Sequence, residues 1–297
     1  MPDGLHALWS WNRRAMAGLL FAAVHETLFE LCADPKHLGA RVGVIAALHT
    51  WGQRLIWHPH LHCLVTGGGL TADGTWKPVK NGYLLPVRVV REVYARKVIE
   101  SVRAGLRSGQ LVVPPGQRVE RWERVLVKLG KRKWHVQIME RYAHGAGVAT
   151  YLARYLRGGP MRDGRILAFD GETVRFSYLD NQASKAAGHK VRDAMELPVE
   201  EFLERYFQHV PEPNLKVVRH WGLYSPNKAD ELDRSRELLG QAPVEDADEL
   251  SWQQCCERAG ARHPECCPVC GERLVAGPRL APERGEGRWK PPKREAA

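Results

Sequence analysis

His58-Pro59-His60-Leu61-His62-Cys63-Leu64-Val65-Thr66-Gly67-Gly68-Gly69 joins alternating imidazoles to an apolar run and a glycine triplet. In a strand, successive side chains point to opposite faces. His60 and His62 therefore share one face, and Leu61, Cys63 and Val65 share the other. The apolar face can pack on a core. The other presents two neutral imidazoles, half of a metal site if further donors converge on them. A polar strand face with incidental histidines is the bland alternative. His58, held before Pro59, reads as a neighbour of the pair rather than a ligand.

Val42–Leu48 is a short apolar, partly β-branched run, and beyond Trp51-Gly52-Gln53 the chain returns through Leu55 to Val65. An antiparallel pair is the economical reading. It brings His49 and Gln53 near the histidine strand, with register left open. Upstream, Leu20, Val24, Leu28 and Leu31 recur at helical spacing within Trp11–Cys32, and Asp34-Pro35 ends the run. Because His25, Glu26 and Glu30 interrupt it, no apolar run is expected to span a bilayer, and no membrane partner is expected.

Downstream, Asp73-Gly74 signals a hairpin, and Pro86 opens a helix to Leu106. Val90, Val93, Tyr94, Val98 and Val102 lie on its inner face, with Arg88, Arg91, Arg96, Lys97 and Arg103 outside. Arg118–Leu129 is a short helix, and Lys131-Arg132-Lys133 leads into an expected strand, Trp134–Met139. Val148–Leu156 is a compact helix between glycines. Arg165–Phe169 and Thr173–Tyr178 form a hairpin about Asp170-Gly171, and Pro198–Phe207 is a helix. The fold class expected is α+β, a central antiparallel sheet with packed helices plus a small cysteine-rich C-terminal segment.

The 297 residues carry 44 Lys and Arg against 34 Asp and Glu, a formal net charge of +10 that suits a polyanionic partner, nucleic acid first. Seven cysteines, an odd number crowded toward the C-terminus, read as reduced thiols or a metal knuckle rather than a disulfide framework. A cytoplasmic location is expected.

Tyr151 and Tyr155 stand four residues apart on the compact helix, so both phenols share one helical face. Such pairs are usually core packing. Here Arg154 and Arg157 accompany them, and Lys131, Arg132 and Lys133 precede them, cations of the kind that offset charge developing at a phosphodiester. Histidine pair, tyrosine pair and basic balance together specify one chemistry: a divalent metal polarises a scissile phosphate and a tyrosine attacks it, leaving a covalent phosphotyrosine link.

Asp34-Pro35-Lys36-His37-Leu38-Gly39, Leu48-His49-Thr50-Trp51-Gly52-Gln53, His58 to Cys63 with Gly67-Gly68-Gly69, Tyr151-Leu152-Ala153-Arg154-Tyr155, Arg165 to Asp170 and Arg219-His220-Trp221-Gly222-Leu223 occur in that order. Over residues 5–240 this resembles the bacterial rolling-circle insertion-sequence transposases of the HUH endonuclease group. The resemblance implies an antiparallel sheet with the histidine pair on a central strand and the tyrosines on a helix beside it. It implies a Mg²⁺- or Mn²⁺-dependent nickase of single-stranded DNA that forms a 5′-phosphotyrosine. His60 and His62 are then metal ligands, with Tyr151 and Tyr155 the candidate nucleophiles. Gln53, seven residues before His60, is the third-ligand candidate, an amide oxygen being a hard donor; His58, His49 and His144 are alternatives better read as structural. Family members carry a zinc-binding segment ahead of this region, which the chain is expected to lack.

Residues 1–240 are thus the expected catalytic domain. Residues 241–275 form an acidic linker and a cysteine-rich segment, and 276–297 a disordered tail. Cys267-Pro268-Val269-Cys270 is half a zinc knuckle, with Cys266 and His263 the candidates to extend it and Cys255 and Cys256 nearby. Two other readings remain: a replication initiator or relaxase using the same chemistry, and a catalytically inactive DNA-binding remnant whose affinity rests on phosphate contacts.

Overall fold

The computed structural model describes residues 1–142, 145–156, 159–242, 250–258, 260, 265–267, 269–275 and 277. The chain divides into two compact units, Met1–Gln241 and Ala242–Ala297.

The first unit opens with α1 (His6–Trp11) and α2 (Arg13–Ala33). Asn12 at their junction donates from its amide to the carbonyls of Leu8 and Val112 and accepts from the Val112 N–H, tying the helix start to a distant loop. By length and composition α2 is long and apolar enough to cross a membrane, contrary to the expectation from its charges. Its Met16, Leu20, Phe21, Leu28 and Leu31 are buried in the cores of this unit, and composition alone does not separate a core helix from a spanning one.

Strands β1 (Gly43–Trp51) and β2 (Trp57–Val65) form the expected antiparallel pair. Next come the small hairpin strands β3 (Gly68–Leu70) and β4 (Trp76–Pro78), then α3 (Val87–Arg107), α4 (Val119–Gly130) and α5 (Gly145–Leu156). Trp134–Met139 is not a strand: it pairs with no described strand, although Trp134 is buried against Tyr94. A second sheet follows, β5 (Ile166–Phe169), β6 (Thr173–Asp180), α6 (Asn181–Ala187) and β7 (Val191–Pro198), with the helix α7 (Val199–Phe207) packed on it. Last are β8 (Val218–Gly222) and α8 (Ala229–Leu238).

The first sheet has the order β2-β1-β8, all antiparallel. The histidine strand β2 is therefore an edge strand among the described residues, and β1 is central, which corrects the placement implied by the resemblance. One face of this sheet buries Ala46 and Leu48 against α2 and α3. Lys97 is not on the outer face of α3 as expected. It reaches α2 and bridges Glu26 at 3.2 Å and Glu30 at 2.8 Å.

Two glycines admit close backbone approaches beside β1, Gly69 in β3 and Gly222 in β8. A Cβ at Gly69 would lie 2.6 Å from the Arg41 carbonyl oxygen, and one at Gly222, where φ is +63°, would lie 1.9 Å from that of Val42. Only glycine allows both approaches.

The β1–β2 turn anchors the second sheet. Leu55 is fully buried among Val174, Phe176, Leu197 and Phe202. The Gln53 carbonyl accepts from the Arg165 guanidinium, and its side-chain oxygen accepts from the Leu179 N–H at 3.3 Å. In the second unit, α9 (Trp252–Arg258) precedes a short turn in which Gly271 N–H donates to the Cys267 carbonyl at 2.9 Å. The expected tail lies, apart from Gly277, outside the described residues.

Candidate functional site

Strand pairing sets His49 opposite His60 and Ala47 opposite His62, so three imidazoles from two adjacent strands meet on the sheet face away from α2. One ligand atom from each of His49, His60 and His62 lies within 4.8 Å of the other two. The carbonyl of His58 can only accept, so His60 donates its Nδ1–H to it at 2.5 Å and keeps a lone pair on Nε2. That Nε2 is 3.1 Å from His62 Nε2. By the same reasoning His49 donates its Nε2–H to the Tyr155 carbonyl at 2.8 Å and keeps its lone pair on Nδ1.

Burial holds these rings neutral, the form that ligates a metal. His60 is pushed down to about 3 by burial, partly offset by its bond to His58, and His62 to about 4 by burial and by His49. His49 is lowered by burial against the opposing Tyr155 bond.

The His60–His62 pair is spaced for a divalent transition ion, and His49 completes the set by closing on it, because two ligands of one cation are at most about 4.2 Å apart. Nitrogens at about 2.1 Å from one cation, at octahedral or tetrahedral angles, are about 3.0–3.4 Å apart, and the His60–His62 separation of 3.1 Å falls in that interval. Three fixed donors leave positions open for an oxygen ligand, as catalytic sites require.

Helix α5 lies over this cluster. The Tyr155 ring stacks on His62 with centroids 3.9 Å apart and planes at 26°. Tyr151, one turn earlier, is 4.6 Å from the Tyr155 ring and 6.4 Å from the His62 ring. Burial raises the Tyr151 phenol above its ordinary range, with Cys63 and Tyr155 adding to it. Tyr142, which the sequence reading did not single out, packs 5.9 Å from Tyr151. Arg154 is exposed on the same helix, whereas Arg157 and His144 fall outside the described residues. His58 neighbours His60, with ring centroids 4.9 Å apart.

His49, better read from sequence as structural, is the residue that the fold adds to the histidine pair. Its signal was its place on the partner strand, and the missing information was the register. Gln53 sits in the β1–β2 turn with its side-chain oxygen used on Leu179. A cavity of about 210 Å³ borders His49 and is lined also by Trp9, Trp51, Trp57, His209, Gly159 and Pro160.

Of the remaining expected residues, Lys131, Arg132 and Lys133 are exposed at the end of α4 and line a different groove. Cys266, Cys267 and Cys270 are free thiols. Among the described residues no three of the cysteines gather as a metal cluster, and His263 lies outside them.

Fold and site together define an α+β protein in which a three-histidine cluster on an antiparallel sheet is covered by a helix carrying two tyrosines. A family model described as "Putative transposase" matches residues 43–231. The chain belongs to this transposase family. It is 33% identical over 279 residues to "Putative transposase y4qJ" of Sinorhizobium fredii, covering 91% of this chain and 69% of that one. It is 29% identical over 289 residues to "Transposase for insertion sequence element IS801" of Pseudomonas savastanoi pv. phaseolicola, covering 93% and 65%. The chain thus spans about two thirds of the length of these relatives. No solved structure is significantly similar to it.

Proposed function

We propose that the chain is a metal-dependent DNA strand transferase that nicks single-stranded DNA at insertion-sequence ends through a 5′-phosphotyrosine intermediate. The observation that carries this reading is the stacking of Tyr155 on His62, which joins a nucleophile-bearing helix to a metal-competent cluster.

His49, His60 and His62 hold the ion, His49 in the third position. A divalent cation bound there supplies Lewis-acid polarisation of the scissile phosphate. Imidazole nitrogens favour Mn²⁺ over the harder, oxygen-seeking Mg²⁺. Tyr151 or Tyr155 attacks phosphorus through its phenol oxygen. The Oη–P bond forms as the bond to the 3′ oxygen breaks, and the phenol proton ends on the released 3′-hydroxyl. No water is consumed, so the phosphotyrosine bond remains available for rejoining. The second tyrosine provides for capture of a second strand before the first is released. Arg154, exposed on the same helix, offsets charge on the phosphate oxygens. Cys266, Cys267 and Cys270 do not converge as a three-ligand group, so Zn²⁺ at the cysteine-rich segment requires donors from outside the described residues. The site of action is the bacterial cytoplasm, where the DNA lies and these thiols stay reduced.

The test is covalent attachment of a labelled single-stranded oligonucleotide carrying an insertion-sequence end. The expected result is a denaturation-resistant adduct with Mn²⁺ that disappears when Tyr151→Phe and Tyr155→Phe are combined. An adduct that persists in the double variant removes the tyrosine assignment. Binding with no adduct under any metal supports the inactive remnant instead.

A further inference from the structure

A second feature lies apart from the histidine cluster. Helix α3 and the segment that leaves α4 enclose a groove of about 620 Å³. Arg88, Arg91, Arg96 and Arg103 line it from α3, and Lys131, Arg132 and Lys133 from the opposite wall, against two carboxylates, Glu92 and Glu100.

The pairing within this set is uneven. Arg88 is bonded to Glu92 at 2.9 Å, Arg96 to Glu100 at 3.3 Å and Arg103 to Glu123 at 2.6 Å. Among the described residues, Arg132 has one carboxylate contact, a long one to Asp3 at 3.8 Å. Arg91, Lys131 and Lys133 have no carboxylate partner among the described residues, and the Arg91 Nε is buried without a hydrogen-bond acceptor. The Arg91 Nε is closed to solvent, so only the outer guanidinium nitrogens of Arg91 can meet a ligand, and like charges across a groove repel one another. An anion with several oxygens relieves that repulsion.

The lining also tells duplex from single strand. Binding of single strands relies on exposed aromatic rings that stack on unpaired bases. The one aromatic lining this groove, Trp134, is only 5% exposed, and its Nε1–H is already given to the Leu129 carbonyl. The groove can grip phosphates and offers nothing for bases.

We propose that the α3–α4 groove is a phosphate-backbone site for double-stranded DNA, gripping the duplex flank of the DNA whose single-stranded part is processed at the histidine and tyrosine site. This rests on the reading that DNA is the partner, and its test needs no cleavage. Duplex binding by the full chain is measured by fluorescence anisotropy from about 50 to about 200 mM salt, alongside a single-stranded oligonucleotide of equal length. Combining Arg91→Gln, Lys131→Gln and Lys133→Gln is expected to lower the slope of log affinity against log salt for duplex by about 2.7, at ~0.9 for each phosphate no longer neutralised. Because Arg91 is partly buried, Lys131→Gln with Lys133→Gln alone, both exposed, is the second variant, expected to lower it by about 1.8. Arg175→Gln and Arg192→Gln on the second sheet, with Lys190→Gln just before β7, form the matched control.

An unchanged slope in the groove variants overturns the proposal. So does an equal fall in the control, which would make the effect one of total charge, or a loss confined to the single strand. Should the adduct assay fail while the groove variants lose duplex binding, only the strand-transfer reading falls.

Discussion

The Tyr155 ring lies against the His62 imidazole at 3.9 Å, and the same residue's carbonyl accepts the Nε2–H of His49 at 2.8 Å. One residue of α5 is thereby held by two of the three clustered imidazoles, once through its ring and once through its backbone. Tyr155→Phe keeps both contacts and removes only the hydroxyl. It should leave Mn²⁺ affinity, measured by calorimetry, within about twofold of wild type while reducing adduct formation. His62→Ala removes both a ligand and the stacking surface and should weaken Mn²⁺ binding by at least about 10- to 100-fold, the scale typical of removing a ligand's supporting partner. Equal Mn²⁺ affinity in His62→Ala and wild type would show that the cluster is not the metal site.

Gln53→Ala separates two roles for one side chain. With its oxygen on the Leu179 N–H and its carbonyl bonded to Arg165, Gln53 joins the β1–β2 turn to the second sheet. Loss of the side-chain bond should cost about 1 kcal/mol in urea unfolding, with Mn²⁺ affinity unchanged. A large fall in Mn²⁺ affinity at unchanged stability would make Gln53 the third ligand in place of His49.

How far the sequence carried these points depends on the range of the interaction behind each. The shared face of His60 and His62 follows from a period of two within one strand, a local property, and it was legible. The membership of His49 depends on register, which is set by a turn whose Leu55 has φ +58° and by the irregularity between His49 and Trp51. Neither has a local signature. Trp134–Met139 has the residue types of a strand but no partner edge among the described residues, and strand identity is conferred by pairing. Val191–Pro198 failed the other way: Arg192, Asp193 and Glu196 mask its alternation, and β6 pairs with it along its whole length. The helix boundaries, fixed by Asp34-Pro35, Pro86 and the flanking glycines, were local and fell within a few residues of the observed ones.

Two glycines in this unit should respond to alanine with opposite signs. Gly222 has φ +63°, and its added Cβ would lie 1.9 Å from the Val42 carbonyl oxygen and 2.9 Å from the Phe29 ring, so the β1–β8 pairing must open to admit it. Gly222→Ala should destabilise by more than about 3 kcal/mol, combining left-handed strain with a steric clash. Gly18 lies inside α2 with nothing within 4 Å of its Cβ position. Gly18→Ala should stabilise by up to about 1 kcal/mol through helix propensity. Urea midpoints of the two variants measured together check both signs.

His209 gives the fold a dependence on acid. It is 5% exposed, donates its Nε2–H to the Leu55 carbonyl at 3.0 Å and accepts from the Thr50 hydroxyl through Nδ1 at 3.1 Å. Burial pushes its pKa down to about 4 from an ordinary 6.5, with the nearby Arg13 acting in the same direction and the Leu55 bond opposing it. Below pH 6.5 the unfolded chain takes up a proton that the folded chain refuses until about pH 4. Stability from this group is therefore complete above pH 6.5 and falls as pH drops toward 4, by about 1.4 kcal/mol per pH unit within that window. His60 and His62 are depressed in the same sense, so the wild-type slope contains their contributions as well. Replacing His209 with Gln isolates one of them. His209→Gln should be less stable than wild type at pH 7, where the buried imidazole is neutral and bonded at both nitrogens. Between pH 7 and pH 5 it should lose about 2 kcal/mol less than wild type, because one titrating group has gone. Urea unfolding at the two pH values measures the difference directly, and parallel losses in the two proteins would show that His209 is not held neutral by the fold.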